Sequence, residues 1–237
     1  ATKLIKQIKD DEISDLIKPI YFKLKGDLHD KNKDYDAAFL AYQNSNRVVK
    51  TSTEYIKLIE AAEYNFDCQI NKAQQLRDLS INNPYSKKMF SKWQQPTFLI
   101  GFPRSGTTLL DTILRSHSKI NVVEEKPMLG KVHLSLGNLQ QVSAIEDIDI
   151  ETAKIASKTY FKELEKHVTL SDTSIVIDKN PLNIFHVPLI NKIFPKAKFI
   201  FAIRHPFDCI FSCWMQAFKL NPSMAYMVDL ERIVNFY

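Results

Sequence analysis

Glycine is scarce in this sequence, with five in 237 residues and only Gly26 between positions 4 and 90. So long a stretch with one glycine, few β-branched runs and apolar residues three and four apart excludes a series of strands and tight turns and predicts helices. Cysteine is rarer still. Cys68, Cys209 and Cys213 are odd in number and widely spaced, which excludes a disulfide framework. No apolar run approaches the roughly 18 residues of a membrane span. Ala1 to Asp11 has the charge of a signal peptide's start without the apolar core that should follow. Charge of one sign is lacking too: the net charge is +5 and the lysines and arginines are scattered, which suits an anionic ligand but makes no case for nucleic acid. A soluble cytoplasmic protein is the expectation, and 237 residues suffice for one large domain or two small ones.

What is present is concentrated in Phe98 to Ser118, FLIGFPRSGTTLLDTILRSHS. Thr97 to Ile100 reads as a short buried parallel strand that ends at Gly101, where a chain turns without a Cβ penalty. From Thr107 on, Leu109, Leu110, Ile113 and Leu114 recur at helical spacing, so Ser105 to Thr108 should form a helix N-terminus with its unpaired N–H groups facing the loop. Such a terminus binds anions through geometry and dipole together. Gly101-x-x-x-x-Gly106-Thr107-Thr108 has the spacing of a P-loop, but Thr107 replaces the lysine that reaches the outer phosphates of a nucleoside triphosphate. Arg104 and the hydroxyls of Ser105, Thr107 and Thr108 suit a smaller 5′-anion such as a phosphosulfate.

Before this loop, Ile20, Leu24 and Leu28 predict one helical stripe, the charged run Asp30 to Asp34 a turn, and Tyr35, Ala38, Phe39 and Tyr42 the next stripe. Ala37, Ala38, Phe39, Ala41 and Tyr42 resemble the second helix of a tetratricopeptide (TPR) repeat, with Gly26 near the close-packing position of the first. One copy of such a repeat lacks the neighbours that bury its faces, so an earlier part of an array is expected outside this sequence. The TPR-like helices imply either a protein partner or a cap on the next domain. Thr53 to Arg77 continues helical, and Asn82-Asn83-Pro84 opens a linker with a boundary near Ser91. The expected domains are 1–90, helical, and 91–237, nucleotide-binding.

After the loop helix, Ile120 to Val123 predicts a strand ending at Glu124-Glu125. Placed beside the first strand, it would bring that pair to the same sheet edge as the loop, where open α/β sheets bind ligands. Ile148 to Val168 predicts a structural helix, Ser174 to Ile177 a third strand closed by Asp178 to Pro181, and Leu182 to Phe194 a helix interrupted at Pro188. Ala197 to Ile203 is the fourth strand, ended by Arg204-His205-Pro206, with a helix on to about Phe218. Alternating β and α units imply a parallel sheet flanked by helices. His205, Cys209 and Cys213 would share a helix face, but a structural zinc site takes four ligands from more than one element. The sequence offers no fourth, so buried reduced cysteines and no metal are expected.

FLIGFPRSGTTLL, VVEEKP, IVIDKNP and FIFAIRHPFDCIFSCW, in this order, resemble the sulfotransferase superfamily. With the helices before them they resemble bacterial tetratricopeptide-sulfotransferases, and the catalytic part is similar to tyrosylprotein sulfotransferases. The resemblance covers about Pro96 to Phe218. It implies 3′-phosphoadenosine 5′-phosphosulfate (PAPS) as donor and 3′-phosphoadenosine 5′-phosphate (PAP) as product. The donor's 5′ end would lie on Arg104, Ser105, Gly106, Thr107 and Thr108, its 3′-phosphate on Arg204 and Ser212, and Lys179 near the bridging oxygen. Glu125, in a Glu-x-Pro context, is implied as the base that takes the acceptor's proton, with Glu124 as its neighbour and competitor. In some members a histidine is the base, for which His117 and His133 stand as alternatives. Lys126-Pro127 replaces the arginine of the tyrosylprotein enzymes, and the chain ends at Tyr237 before the family's C-terminal region. The acceptor would be a hydroxyl of a sugar, phenol, peptide tyrosine or lipid. Two other readings stand beside this one: an ATP-dependent P-loop kinase-like enzyme, opposed by the missing lysine, and a non-catalytic TPR scaffold that binds nucleotide.

Overall fold

The computed structural model describes residue 8 and residues 13–76, 95–137, 145, 147–171 and 174–237. The rest of the charged start at Ala1 to Asp11, the expected linker from Asn82 with its boundary near Ser91, and the side chain of Cys68 lie outside the described residues. By contact the chain forms two compact units that are not consecutive in sequence. One comprises residues 1–67 with 206–237, the other residues 68–205.

The first unit starts with a helical hairpin, α1 (Lys18–Lys31) and α2 (Tyr35–Lys50), and the beginning of α3 (Thr53–Leu76). Asp34 caps α2 by accepting the Ala37 N–H, the role its short carboxylate fits. Tyr21 and Gly26 of α1 and Ala38, Ala41 and Tyr42 of α2 are buried. A Cβ on Gly26 would lie 2.6 Å from the Tyr42 ring, so the absence of a side chain there lets an aromatic ring lie against the helix backbone. The expected stripe is corrected on α1, where Ile20 and Leu24 are 54% and 44% exposed. Tyr21 and Gly26 turn inward instead, and hydrogen bonds tie α1 to α2: Tyr42 Oη donates to Asp27 at 2.9 Å and Ser45 Oγ to the Pro19 carbonyl at 2.7 Å. This unit also holds α8 (Pro206–Trp214), α9 (Pro222–Tyr226) and α10 (Leu230–Phe236). Asn46 Nδ2 donates to the Trp214 carbonyl at 2.8 Å, and Arg232 donates to Tyr55 Oη at 2.8 Å. Helix α8 stops at Trp214, short of Phe218. Cys209 and Cys213 lie on it, buried and not disulfide-bonded.

The second unit holds a sheet of β1 (Thr97–Gly101), β2 (Ile120–Glu124), β3 (Ile175–Lys179) and β4 (Lys198–Ala202), all parallel, in the order β2-β3-β1-β4. Strand β2 therefore lies beside β3, not beside β1 as the chain order suggested; β3 is inserted between them. Because side chains alternate along a strand, each strand feeds two cores. Phe98, Ile100, Val123 and Val176 join α5 (Met128–Ser135), α6 (Ile150–Leu164) and α7 (Val187–Ile193) on one face. Leu99, Val122 and Ile177 meet Leu110 and Leu114 of α4 (Thr107–Arg115) on the other. The stretch after β3 is a 3-10 helix, Pro181–His186, followed by α7 with Pro188 in its first turn. The proline thus splits the expected helix where it removes an N–H.

Candidate functional site

In a parallel sheet every carboxyl end lies on one edge, and here that edge gathers the loop after β1, Glu124-Glu125 at the end of β2, Lys179 at the end of β3, and Arg204 after β4. The loop is tight. Arg104 and Gly106 have left-handed backbones, with φ of 67° and 98°, and Ser105 N–H closes a turn on the Phe102 carbonyl at 3.1 Å. A Cβ on Gly101 would lie 2.7 Å from the Ala202 carbonyl and 2.8 Å from Ser105 Oγ, so only glycine permits this packing of loop on β4. Gly106 caps α4 without a side chain, which leaves the first N–H groups of α4 to the loop. Ser105 and Thr107 are buried, Arg104 and Thr108 exposed. The Ser105 hydroxyl is buried without a hydrogen-bond partner among the described residues. An orphaned buried hydroxyl is costly unless something else completes it, and beside a helix N-terminus a phosphate or sulfate oxygen meets that need.

Lys179 is fully buried at the end of the central part of the sheet, and its ammonium donates to Glu124 Oε1 at 2.7 Å and to Glu125 Oε1 at 2.9 Å. Glu124 is its register partner on β2. Glu125 follows with a left-handed backbone, φ 49°, and donates its N–H to the Lys179 carbonyl at 2.8 Å. That kink ends the pairing and lets two successive carboxylates face one amine. Burial alone would lower the lysine's proton affinity, but the hydrogen bonds and charges of Glu124 and Glu125 outweigh it and hold the group above its ordinary value. It stays a cation.

Arg204 is exposed and donates from Nη1 to the Arg104 carbonyl at 3.3 Å, which joins the β4 connection to the loop. Ser212 lies on α8, in the other unit. Of the alternative histidines, His117 Nδ1 accepts the Lys119 N–H at 3.2 Å, and His133 Nε2 lies 3.0 Å from His186 Nδ1. Two participants were not singled out from the sequence. Asp111, buried on α4, forms a two-pronged pair with Arg115 one turn later, and Arg115 Nη2 lies 3.7 Å from Glu124 Oε2. An aspartate in the apolar register of an amphipathic helix, four residues before an arginine, was the available signal.

The chain is similar to several known proteins. An uncharacterized protein of Aquifex aeolicus is 31% identical over 218 residues, 86% of this chain and 27% of its own. Human protein-tyrosine sulfotransferase 1 is 25% identical over 135 residues, 54% of this chain and 35% of its own. The nodulation protein NoeE of Sinorhizobium fredii is 28% identical over 120 residues, 46% of this chain and 29% of its own. The chain thus spans about a quarter to a third of the length of these relatives. The model of the sulfotransferase family matches residues 96–235, more than half of the sequence and all four strands of the sheet, and on that match the chain belongs to the sulfotransferase family.

Proposed function

We propose that this chain is the part of a PAPS-dependent sulfotransferase that binds the donor and carries the base, and that Glu125 takes the proton from an acceptor hydroxyl. The observation that carries the reading is the buried Lys179 ammonium held between Glu124 and Glu125 at the sheet edge that also bears the loop. The orphaned Ser105 hydroxyl and the uncapped start of α4 fit the donor's 5′ end, with Gly106, Thr107 and Thr108 supplying backbone N–H groups or hydroxyls and Arg104 a charge. Arg204 and Ser212 are assigned to the 3′-phosphate by family likeness. The donor supplies a sulfuryl group on a good leaving phosphate. As the acceptor oxygen bonds to sulfur, its proton passes to Glu125, and the bond from sulfur to the 5′-phosphate oxygen breaks. Lys179 faces the charge that develops on that oxygen.

Glu125 is preferred over Glu124 on geometry. Both oxygens of Glu124 face cations, Lys179 and Arg115, while Glu125 engages Lys179 through Oε1 and leaves Oε2 without a partner among the described residues. A base needs a lone pair that is not already taken. In the full-length protein, Glu125→Gln should lower turnover by the ~10²- to 10⁴-fold of a positioned base, with nucleotide affinity kept. Glu124→Gln should cost less. Near-normal turnover in Glu125→Gln would refute the assignment. The acceptor is a hydroxyl, and screening sugar, phenol, tyrosyl-peptide and lipid acceptors with labelled donor identifies its class.

A further inference from the structure

We infer that Arg115, pinned by Asp111 at the far end of the loop helix, is a positioning residue that keeps Glu124 as the counterion of Lys179 and so frees Glu125 to act. The inference rests on the reading of Glu125 as the base. Five charges alternate in sign along a continuous chain: Asp111, Arg115, Glu124, Lys179 and Glu125. Asp111 is 3% exposed, and both of its oxygens bond the Arg115 guanidinium, Oδ2 at 3.0 Å from Nη2. A two-pronged pair with a buried carboxylate fixes the plane of the guanidinium. The same Nη2 lies 3.7 Å from Glu124 Oε2, and Glu124 Oε1 takes the Lys179 ammonium at 2.7 Å.

The arrangement has a mechanical and an electrostatic consequence. Helix α4 carries the loop at its N-terminus and Arg115 at its C-terminus, so one rigid element of about 13 Å sets both the anion site and the base. When an acceptor hydroxyl draws Glu125 toward itself, the buried Lys179 cation must keep a partner, because an uncompensated buried charge is strongly destabilising. Glu124 is at a strand end and 46% exposed. Arg115 holds it there against water. The chain carries three negative and two positive charges, and the proton taken by Glu125 brings it to neutrality.

The test is a double-mutant cycle in the full-length protein with labelled donor. Arg115→Gln should lower kcat roughly tenfold, below the ~10² that a 1 Å misplacement can cost, while donor KM and PAP affinity stay within about twofold. Arg115→Lys, which keeps the charge but loses the fork on Asp111, should recover only part of the loss. In a Glu124→Gln background, Arg115→Gln should add less than about twofold, because it acts through Glu124. An equal loss in both backgrounds, or a change in donor KM with kcat intact, overturns the inference. The Glu125→Gln control separates the two claims: if it stays active, the base assignment fails, whereas an additive cycle in an enzyme that needs Glu125 removes only the role of Arg115.

Discussion

Asp178 faces the core that holds Val176 and Tyr160, one residue before Lys179 in the same strand, and its burial gives the unit a pH dependence. It is 1% exposed, accepts from Tyr160 Oη at 2.9 Å and from Asn183 Nδ2 at 3.3 Å, and is pushed up to about 7 by burial, which those two hydrogen bonds only partly offset. The native state therefore binds more protons than the unfolded chain between the ordinary aspartate value of about 3.9 and about 7. This group's contribution to stability is full below about pH 4 and is lost as pH rises toward neutrality. The urea midpoint of the wild type should rise as pH is lowered from 8 to 5, and Asp178→Asn should flatten that rise. Glu163, held low by Lys166, works in the opposite direction but below about pH 4, outside this window. An equal pH response in the wild type and in Asp178→Asn would show that Asp178 ionises inside the fold without penalty.

At the scale of elements, the hairpin of α1 and α2 depends on one missing methyl group. Gly26→Ala would place a Cβ 2.6 Å from the Tyr42 ring, which Asp27 holds through its hydroxyl. Overpacking of this kind costs about 1–3 kcal/mol, against about 1 kcal/mol gained from better helix propensity. Gly26→Ala should therefore lower the Tm, and the Gly26→Ala/Tyr42→Leu pair should recover part of the loss. A Tm that rises in the single variant means that the ring moves aside freely. The elements that need tight backbones were legible because few residues provide them: Gly101 and Gly106 marked the loop, and Pro206 marked the start of α8. The rotation of α1 was not, because Ile20, Leu24 and Leu28 have a clean helical period on a face the hairpin leaves largely uncovered.

At the scale of the whole molecule, ligand binding provides the cleanest discrimination between donors. Any nucleotide that binds the native state alone adds RT ln(1 + [L]/Kd), about 2.7 kcal/mol at a hundredfold excess over Kd. PAP should raise the Tm of the full-length protein, and ATP at equal concentration should do so much less, because the loop lacks the lysine that would pair with a triphosphate. A larger response to ATP with magnesium would favour the kinase-like reading. None of the helices among the described residues is long and apolar enough to cross a membrane.

The sequence by itself determined the strand, loop and helix around Gly101 to Arg115 and the parallel sheet. These follow from local rules: periodicity, the φ values that glycine permits, and the alternation that forces strands to run parallel. Tertiary structure decided what depends on long-range pairing. The order of the strands put β3 between β1 and β2, and that insertion places Lys179 next to Glu124. The left-handed kink at Glu125 gave one amine two carboxylates. Asp111 and Arg115 came to lie near Glu124 because α4 packs against the sheet, and α8 to α10 joined the N-terminal helices through bonds that span well over a hundred residues, such as Asn46 to Trp214. A local pattern carries no information about partners so distant in the chain; burial and charge pairing select them only once the chain is folded.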